Sequence, residues 1–388
     1  MPHIKVKPFD TKELSKLEEI EFHGREKDFD NELLLVEINN KAFAFDIIKR
    51  EKEYLIKPNK ITRASHIEEI KSFLNKIVKE LDLEVINANT NPKKEIYKDK
   101  DIYLKTIEDF YNNFKTDFKK VKLEVGFGSG RHLLYRAKEE KDTLFIGIEI
   151  HTPSINQVLK HIHLENLNNV ILLNYDARLL LEMLPSNILD TIYVHFPVPW
   201  DKKPHRRVIS QKFVAEAIRT LKKDAFLELR TDSEKYYRYS LEVFSSFAKA
   251  TFNVKKNIDI EVISKYEERW RRMNKNIYTI SFYSLEESQE KNLVIDFSFN
   301  SYKNNPIFTK DSIVKDDFFV HFSREYTDIR NPNAKVVECA FGSFAMPEKK
   351  LIYMKEGECQ YYPLPPVKSI ANFKAHQYIN EVIHGKCN

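Results

Sequence analysis

The chain's best candidates for chemistry are Gly126, Gly128 and Gly130, three of only eight glycines in 388 residues. They stand in Leu123-Glu124-Val125-Gly126-Phe127-Gly128-Ser129-Gly130, followed by Arg131-His132-Leu133-Leu134. Without Cβ atoms such a turn can take positive φ and let a ligand approach the main chain closely. A helix opening just after it offers free N–H groups and the positive end of its dipole. The stretch therefore reads as buried strand, glycine turn and helix start. The dinucleotide fingerprint is G-x-G-x-x-G, but Arg131 stands where that pattern wants its third glycine.

In a doubly wound sheet the ligand lies beyond the C-terminal ends of the strands, and acids recur at those ends. Glu124 sits beside the glycines. Glu149, in Gly147-Ile148-Glu149-Ile150, is placed to accept both hydroxyls of a ribose, as it would in a nicotinamide dinucleotide. Asp176, in Asn174-Tyr175-Asp176-Ala177, could accept from an adenine amine. Each alone also suits a helix N-cap or a surface charge. Three in register on successive strand ends are harder to explain as caps alone.

Two basic stretches follow. His195-Phe196-Pro197-Val198-Pro199-Trp200-Asp201-Lys202-Lys203-Pro204-His205-Arg206-Arg207 is held extended by its prolines. Its cations, Lys202, Arg206 and Arg207 among them, suit phosphate, although such a run is commonly a solvated face. Thr231-Asp232 ends the next strand, and Ser264-Lys265-Tyr266-Glu267-Glu268-Arg269-Trp270-Arg271-Arg272 is again basic and aromatic.

The elements that must position these residues alternate strand and helix, which implies a parallel sheet. Strands are expected at Lys122–Gly126, Leu144–Ile150, Val170–Asn174, Thr191–Phe196 and Phe226–Thr231, with two closing strands near Ile258–Ile263 and Ile277–Tyr283. A helix over Ile102–Phe114 leads into this domain. Upstream, Glu32–Ile38, Ala42–Ile48 and Glu53–Lys57 read as strands. Ser65-His66-Ile67-Glu68 reads as a capping box before a helix carrying Ile67, Ile70, Leu74, Ile77, Val78 and Leu81. Asn87–Lys100 reads as a linker, and residues 1–30 carry no pattern that assigns them. Downstream, Leu293–Asn300, Phe318–Arg324, Lys335–Phe341 and Leu351–Lys355 suggest an antiparallel sheet, with a terminal helix at Phe373–His384. The domains are therefore 1–88, an α+β extension; 101–285, the α/β domain; and 290–388, mainly antiparallel β plus a helix.

Composition narrows the classes. A hydrophobic content of 42% with 31% charged residues describes a globular chain, and no apolar run is long enough to span a membrane. Cys339, Cys359 and Cys387 are too few and too badly spaced for a zinc cluster or a disulfide framework, so no metal is expected. The N-terminus lacks a signal-peptide core, and the cytoplasm is the expected compartment. A net charge of +5 is mild for this length, so a nucleic-acid contact must come from local clustering.

The order E-x-G-F-G-x-G, G-I-E, D-A, F-P-x-P-W-x-K, a basic loop, T-D and K-Y-E resembles bacterial tRNA (guanine-N7)-methyltransferases over Lys122–Tyr283. The flanks resemble the longer form of that family. The resemblance implies a Rossmann-like class I S-adenosylmethionine-dependent methyltransferase domain, α/β, flanked by two smaller α+β domains. It implies that Glu124, Glu149 and Asp176, with Gly126, Gly128, Gly130 and Ala177, hold S-adenosylmethionine. It also implies that Lys202, Asp232 and Ser264, Lys265, Tyr266 and Glu267 handle tRNA and its target guanosine in the variable loop.

One position departs from the family pattern. Where F-P-D-P-W carries an aspartate thought to be catalytic, this chain has Val198. Guanine N7 bears a lone pair and no proton, so no base is needed to make it a nucleophile, and alignment can supply much of the barrier reduction. Asp201 and Asp232 are the nearest candidates for a carboxylate that orients the guanine. The competing readings are a nicotinamide dehydrogenase, and a tRNA-binding protein without catalysis.

Overall fold

The computed structural model describes residues 2–61, 67–91, 103–105, 110, 114–290, 295–302, 306–344 and 346–385. The chain forms two compact units, Ile96–Asn292 and a flanking unit of Met1–Glu95 with Leu293–Asn388. Its first segment folds as β1 (Ile4–Val6), β2 (Ile20–Glu26), β3 (Glu32–Ile38), β4 (Lys41–Lys49), β5 (Tyr54–Pro58), α1 (Ile67–Glu80) and β6 (Val85–Ala88). Residues 1–30, which carry no readable pattern, thus supply two strands and a 3-10 turn at Thr11–Lys16. Ile70, Phe73, Leu74 and Ile77 of α1 pack on Leu34, Val36, Phe43, Phe45 and Ile47, every second residue of β3 and β4. The Ser65 cap and most of the 87–100 linker lie outside the described residues.

The second unit contains β7 (Leu104–Lys105), β8 (Lys120–Val125), α2 (Arg131–Glu139), β9 (Thr143–Ile148), α3 (Thr152–Leu164), β10 (Val170–Leu173), α4 (Ala177–Met183) and β11 (Leu189–His195). It continues with α5 (Gln211–Thr220), β12 (Leu221–Thr231), α6 (Glu234–Ser245), β13 (Thr251–Lys256), α7 (Lys265–Arg272) and β14 (Tyr278–Tyr283). The sheet order is β13-β14-β12-β11-β8-β9-β10-β7, parallel from β7 to β12, with β14 and β13 antiparallel at one edge. Strand order reverses beside β8, so the crevice lies at its C-terminal end. Helices α2 and α3 cover one face through Leu133, Leu134, Ile155, Val158, Leu159 and Ile162. Helices α4, α5 and α6 cover the other through Leu180, Leu181, Phe213, Val214, Val243 and Phe244.

The strand expected at Ile258–Ile263 is instead β13 at Thr251–Lys256. Phe252 packs into the core from β13, whereas the 258–263 stretch is irregular and lends its carbonyls to arginines: Ile258 O accepts from Arg271 and Ile263 O from Arg131. The helix expected over Ile102–Phe114 lies largely outside the described residues, and Leu104–Lys105 pair with β10 as a strand.

The last segment forms β15 (Ile313–Val314), β16 (Phe319–Asp328), β17 (Lys335–Gly342), β18 (Pro347–Lys355), β19 (Glu358–Tyr362) and α8 (Ile370–Ile383). Ile295 and Phe297, read as strand residues, are buried without joining the ladder. Each flank contributes a core, and the two flanks share one sheet. Strand β16 pairs with β2 (Tyr326↔Glu26, Thr327↔Arg25, Asp328↔Gly24), which makes one eleven-stranded sheet. Gly24 permits that joint, because a Cβ there would lie 2.4 Å from the Phe22 ring and 2.9 Å from Tyr326 Cβ. Tyr362 ties the halves further: its hydroxyl donates to Phe43 O at 2.8 Å and accepts from Val36 N at 3.2 Å. Among the described residues no helix is long and apolar enough to cross a membrane.

Candidate active site

Gly126 and Gly128 adopt φ of +69° and +54° at the end of β8. A side chain on Gly126 would meet nothing within 4 Å, and one on Gly128 would meet only the Tyr266 ring, at 3.7 Å, and Gly126 O, at 4.0 Å. The loop is therefore an open cradle, shaped for a ligand that lies against main chain. Gly130 has another task. It starts α2 at φ +70°, and its missing Cβ makes room for Val158, whose Cγ2 would otherwise be 2.2 Å away.

Glu149 leaves the end of β9 and reaches the loop. Its Oε2 accepts from Gly128 N at 3.0 Å, and its Oε1 accepts from Ile150 N and His151 N at 2.8 and 3.0 Å. A carboxylate has about four lone-pair sites, so an acceptor remains beside the glycines for a ribose. The cradle and this acid fit the adenosine half of S-adenosylmethionine.

The other two acids are more committed. Asp176 caps α4 by accepting from Arg178 N at 3.0 Å, and its carboxylate also pairs with the Arg178 guanidinium at 2.7 Å. The cap that its position suggested is thus its observed contact, with Ala177 opening the helix. Glu124 is buried and accepts from His132 Nδ1 at 2.8 Å.

His132 belongs to a polar layer that the motif reading missed. Alternation along β8, β11 and β12 turns Glu124, Tyr193, His195, Glu228 and Arg230 to the α2 side of the sheet. The His132 ring lies 4.7 Å from both Tyr193 and His195, and His195 Nε2 donates to Glu228 Oε1 at 2.9 Å. Burial pushes the His195 pKa down. Burial alone would raise Glu228, but the bond from His195 and the charges of His195 and Arg230 leave it lowered. The signal was present in the sequence as polar residues at every second position of strands expected to be buried.

The Phe196–Arg207 loop leaves β11 under backbone strain, with φ of +51° at Phe196 and +46° at Trp200. Phe196 N donates to Arg230 O at 2.7 Å. Arg207, which its place in the basic run suits to phosphate, turns inward. It is buried, donates to Pro199 O at 2.8 Å and to Asp201 Oδ1 at 3.4 Å, and lies over the Tyr236 and Tyr239 rings. It latches the loop. Lys202, Lys203 and Arg206 remain outward, with Arg206 stacked 5.2 Å from the Trp200 ring, and Val198 is 61% exposed.

Helix α7 arches back over the glycine loop. Ser264 caps it by accepting from Glu267 N at 3.1 Å. Arg131 holds it from α2 through Glu268 at 3.0 Å, while Lys265 and Tyr266 stay exposed. Glu267 is buried and accepts from Arg230 Nη2 at 2.7 Å and Arg271 Nε at 3.0 Å, so it anchors the helix to β12. Asp232, at the end of β12, pairs with Lys275 at 2.7 Å. Among the described residues no group of three or more His, Cys, Asp or Glu is placed to hold a metal ion.

The methyltransferase family Methyltransf_4 matches residues 119–280. A tRNA (guanine-N(7)-)-methyltransferase of Wolinella succinogenes is 39% identical over 353 residues, 90% of each chain. That of Campylobacter fetus subsp. fetus is 36% identical over 372 residues, 94% of each. That of Helicobacter pylori strain J99 is 37% identical over 354 residues, 89% of this chain and 86% of its own. With likeness of this degree running through the flanks as well as the catalytic unit, the chain belongs to the tRNA (guanine-N(7)-)-methyltransferase family.

Proposed function

We propose that the protein transfers a methyl group from S-adenosylmethionine to N7 of a guanosine in the variable loop of tRNA, in the cytoplasm. The observation that carries this reading is the approach of Tyr266 to Gly128. The segment implied to hold the target nucleoside lies against the loop that suits the cofactor. When bound, S-adenosylmethionine supplies an electrophilic methyl group on a sulfonium. Glu149 and the main chain of Gly126 and Gly128 hold its adenosine half, and buried Glu124, fixed by His132, sits beneath the loop.

The remaining residues act on the RNA. Lys202, Lys203 and Arg206 meet phosphate, and Lys265 and Tyr266 border the base. Because N7 needs no deprotonation, the protein's task is to orient the ring and stabilise the cationic product. Asp232 accepts from the guanine N1–H and N2–H donors in place of the aspartate absent at Val198. Asp201 is half-exposed beside Arg207 and serves as a lesser acceptor. Incubating purified protein with labelled S-adenosylmethionine and bulk tRNA should yield 7-methylguanosine on digestion. Cofactor binding without any methylated tRNA would establish the non-catalytic reading instead.

A further inference from the structure

In the free protein one oxygen of the carboxylate that this reading assigns to the guanine edge is already engaged. Lys275 Nζ donates to Asp232 Oδ2 at 2.7 Å and lies 3.7 Å over the Trp270 ring. The two side chains keep 39% and 19% of their surface exposed, Lys275 the more open. An ion pair so placed is screened by water and holds weakly. Of its cationic neighbours, Arg269 lies 5.2 Å from the same Trp270 ring and the other two are ion-paired. Arg271 is bound to Glu267, Asp259 and Ile258 O, and Arg272 to Glu268.

We propose that Lys275 is a positioning residue that exchanges Asp232 for a tRNA phosphate when the substrate docks, which frees Asp232 Oδ2 for the guanine as the RNA arrives. This rests on the methyltransferase reading. An exposed, unpaired carboxylate at the mouth of an RNA site repels the incoming backbone, whereas the paired one does not. The arriving phosphate offers Lys275 a full negative charge, and binding it releases counterions. Trp270 keeps the ammonium at the mouth by a cation–π contact, so the exchange needs a swing of one flexible side chain and no movement of the backbone. Asp232 is thereby shielded while the site is empty and acquires a new partner when it is full.

Poly(U) carries phosphates but no guanine, so its binding isolates the first half of the exchange. Lys275→Met should weaken poly(U) binding about two- to fivefold, and the slope of log affinity on log salt should shrink by about one ion. Lys275→Arg should restore the slope. Asp232→Asn should tighten poly(U) binding, because its lysine is already free. On tRNA, Lys275→Met should act mainly on KM, about fivefold, and Asp232→Asn mainly on kcat, at least tenfold. An unchanged salt slope in Lys275→Met, or a kcat loss that copies Asp232→Asn with KM unmoved, would show that Lys275 never leaves the carboxylate and overturn the proposal. If the parent methylates no tRNA, the functional reading fails by itself, and the poly(U) slopes still decide whether Lys275 meets phosphate.

Discussion

The two units place their charged side chains differently. The flanking unit holds 30 Lys and Arg against 30 Asp and Glu, so the chain's whole excess of five positive charges falls on Ile96–Asn292. The flanking sheet buries one charged cluster: His23 and Glu32 are both buried and bonded at 2.8 Å, with Lys49 and Thr11 also donating to Glu32 at 2.6 and 3.1 Å. In the catalytic unit, charge gathers at strand ends and on α7, where Lys202, Lys203, Arg206 and Lys265 face outward. A unit of zero net charge exerts no net long-range attraction on a polyanion. The excess of positive charge on Ile96–Asn292 is the basis for the proposed attraction of RNA to that unit.

The largest expected effect tests whether the catalytic unit also contains a structural ion pair. Glu267→Ala leaves Arg230, 1% exposed, without its carboxylate and should cost about 3–5 kcal/mol, read as a fall in urea midpoint. Lys265→Ala, at an exposed position two residues earlier in the same helix, should leave the midpoint in place. If both leave stability unchanged, α7 is not anchored through Glu267.

The flanking unit should reveal its internal charge through acid. Burial would raise the Glu32 carboxyl, but the bonds from His23 and Lys49 outweigh it and hold the pKa at about 2, against 4.5 in the unfolded chain. The folded value lies below the unfolded one, so the stabilisation is complete above about pH 4.5 and is lost as pH falls toward 2. It amounts to about 3 kcal/mol at neutral pH. Denaturation midpoints between pH 5 and 3 should fall more steeply for the parent than for Glu32→Gln. Parallel curves would remove this carboxylate from the acid response.

Glu149 should separate binding from folding within the catalytic unit. The acceptor site left on Glu149 can take one charge-assisted hydrogen bond from a ribose hydroxyl, worth roughly 1.5–3 kcal/mol. Glu149→Ala should therefore raise the Kd for S-adenosylmethionine at least tenfold by calorimetry, and an unchanged constant would take Glu149 out of the site. Neutralising Lys202, Lys203 and Arg206 together should raise KM for tRNA several-fold and flatten its salt dependence by about two to three ions, while cofactor affinity holds. Charge removal at Lys41, Lys57 and Lys60 of the flanking unit should do neither, and an equal loss there would erase the contrast between the units. Val198→Asp should give the smallest change, within about tenfold in kcat, because N7 is nucleophilic without a base and its alignment can supply much of the barrier reduction.

Much of the catalytic unit was legible in the sequence. Its parallel strands and glycine turn are local features, each dictated by a few adjacent residues through period-2 alternation and the freedom of Gly126 and Gly128 at positive φ. The carboxylate positions followed, since strand ends in such a sheet face one crevice. Side-chain partners did not follow. Arg206 and Arg207 are neighbours in sequence, yet one stacks on Trp200 at the surface and the other is buried under the loop. A charge run cannot reveal which member turns inward, because the Tyr236 and Tyr239 rings that receive Arg207 come from another element. Likewise Glu267 reads as an exposed acid in a basic helix until Arg230 arrives from β12.

The flanks show the same division on a larger scale. Alternation in β3 and β4 and the apolar stripe of α1 determined a cored N-terminal module, and the C-terminal strands determined another. A boundary at 88 and another at 290 are what local patterns can give. Only the tertiary structure decided that β2 and β16, some three hundred residues apart, share a ladder. Backbone pairing uses N–H and C=O groups that every residue carries, so the choice of partner strand is written nowhere locally. It was made by the fit of Tyr326 against a glycine at position 24 and by a tyrosine hydroxyl crossing from β19 to β3 and β4.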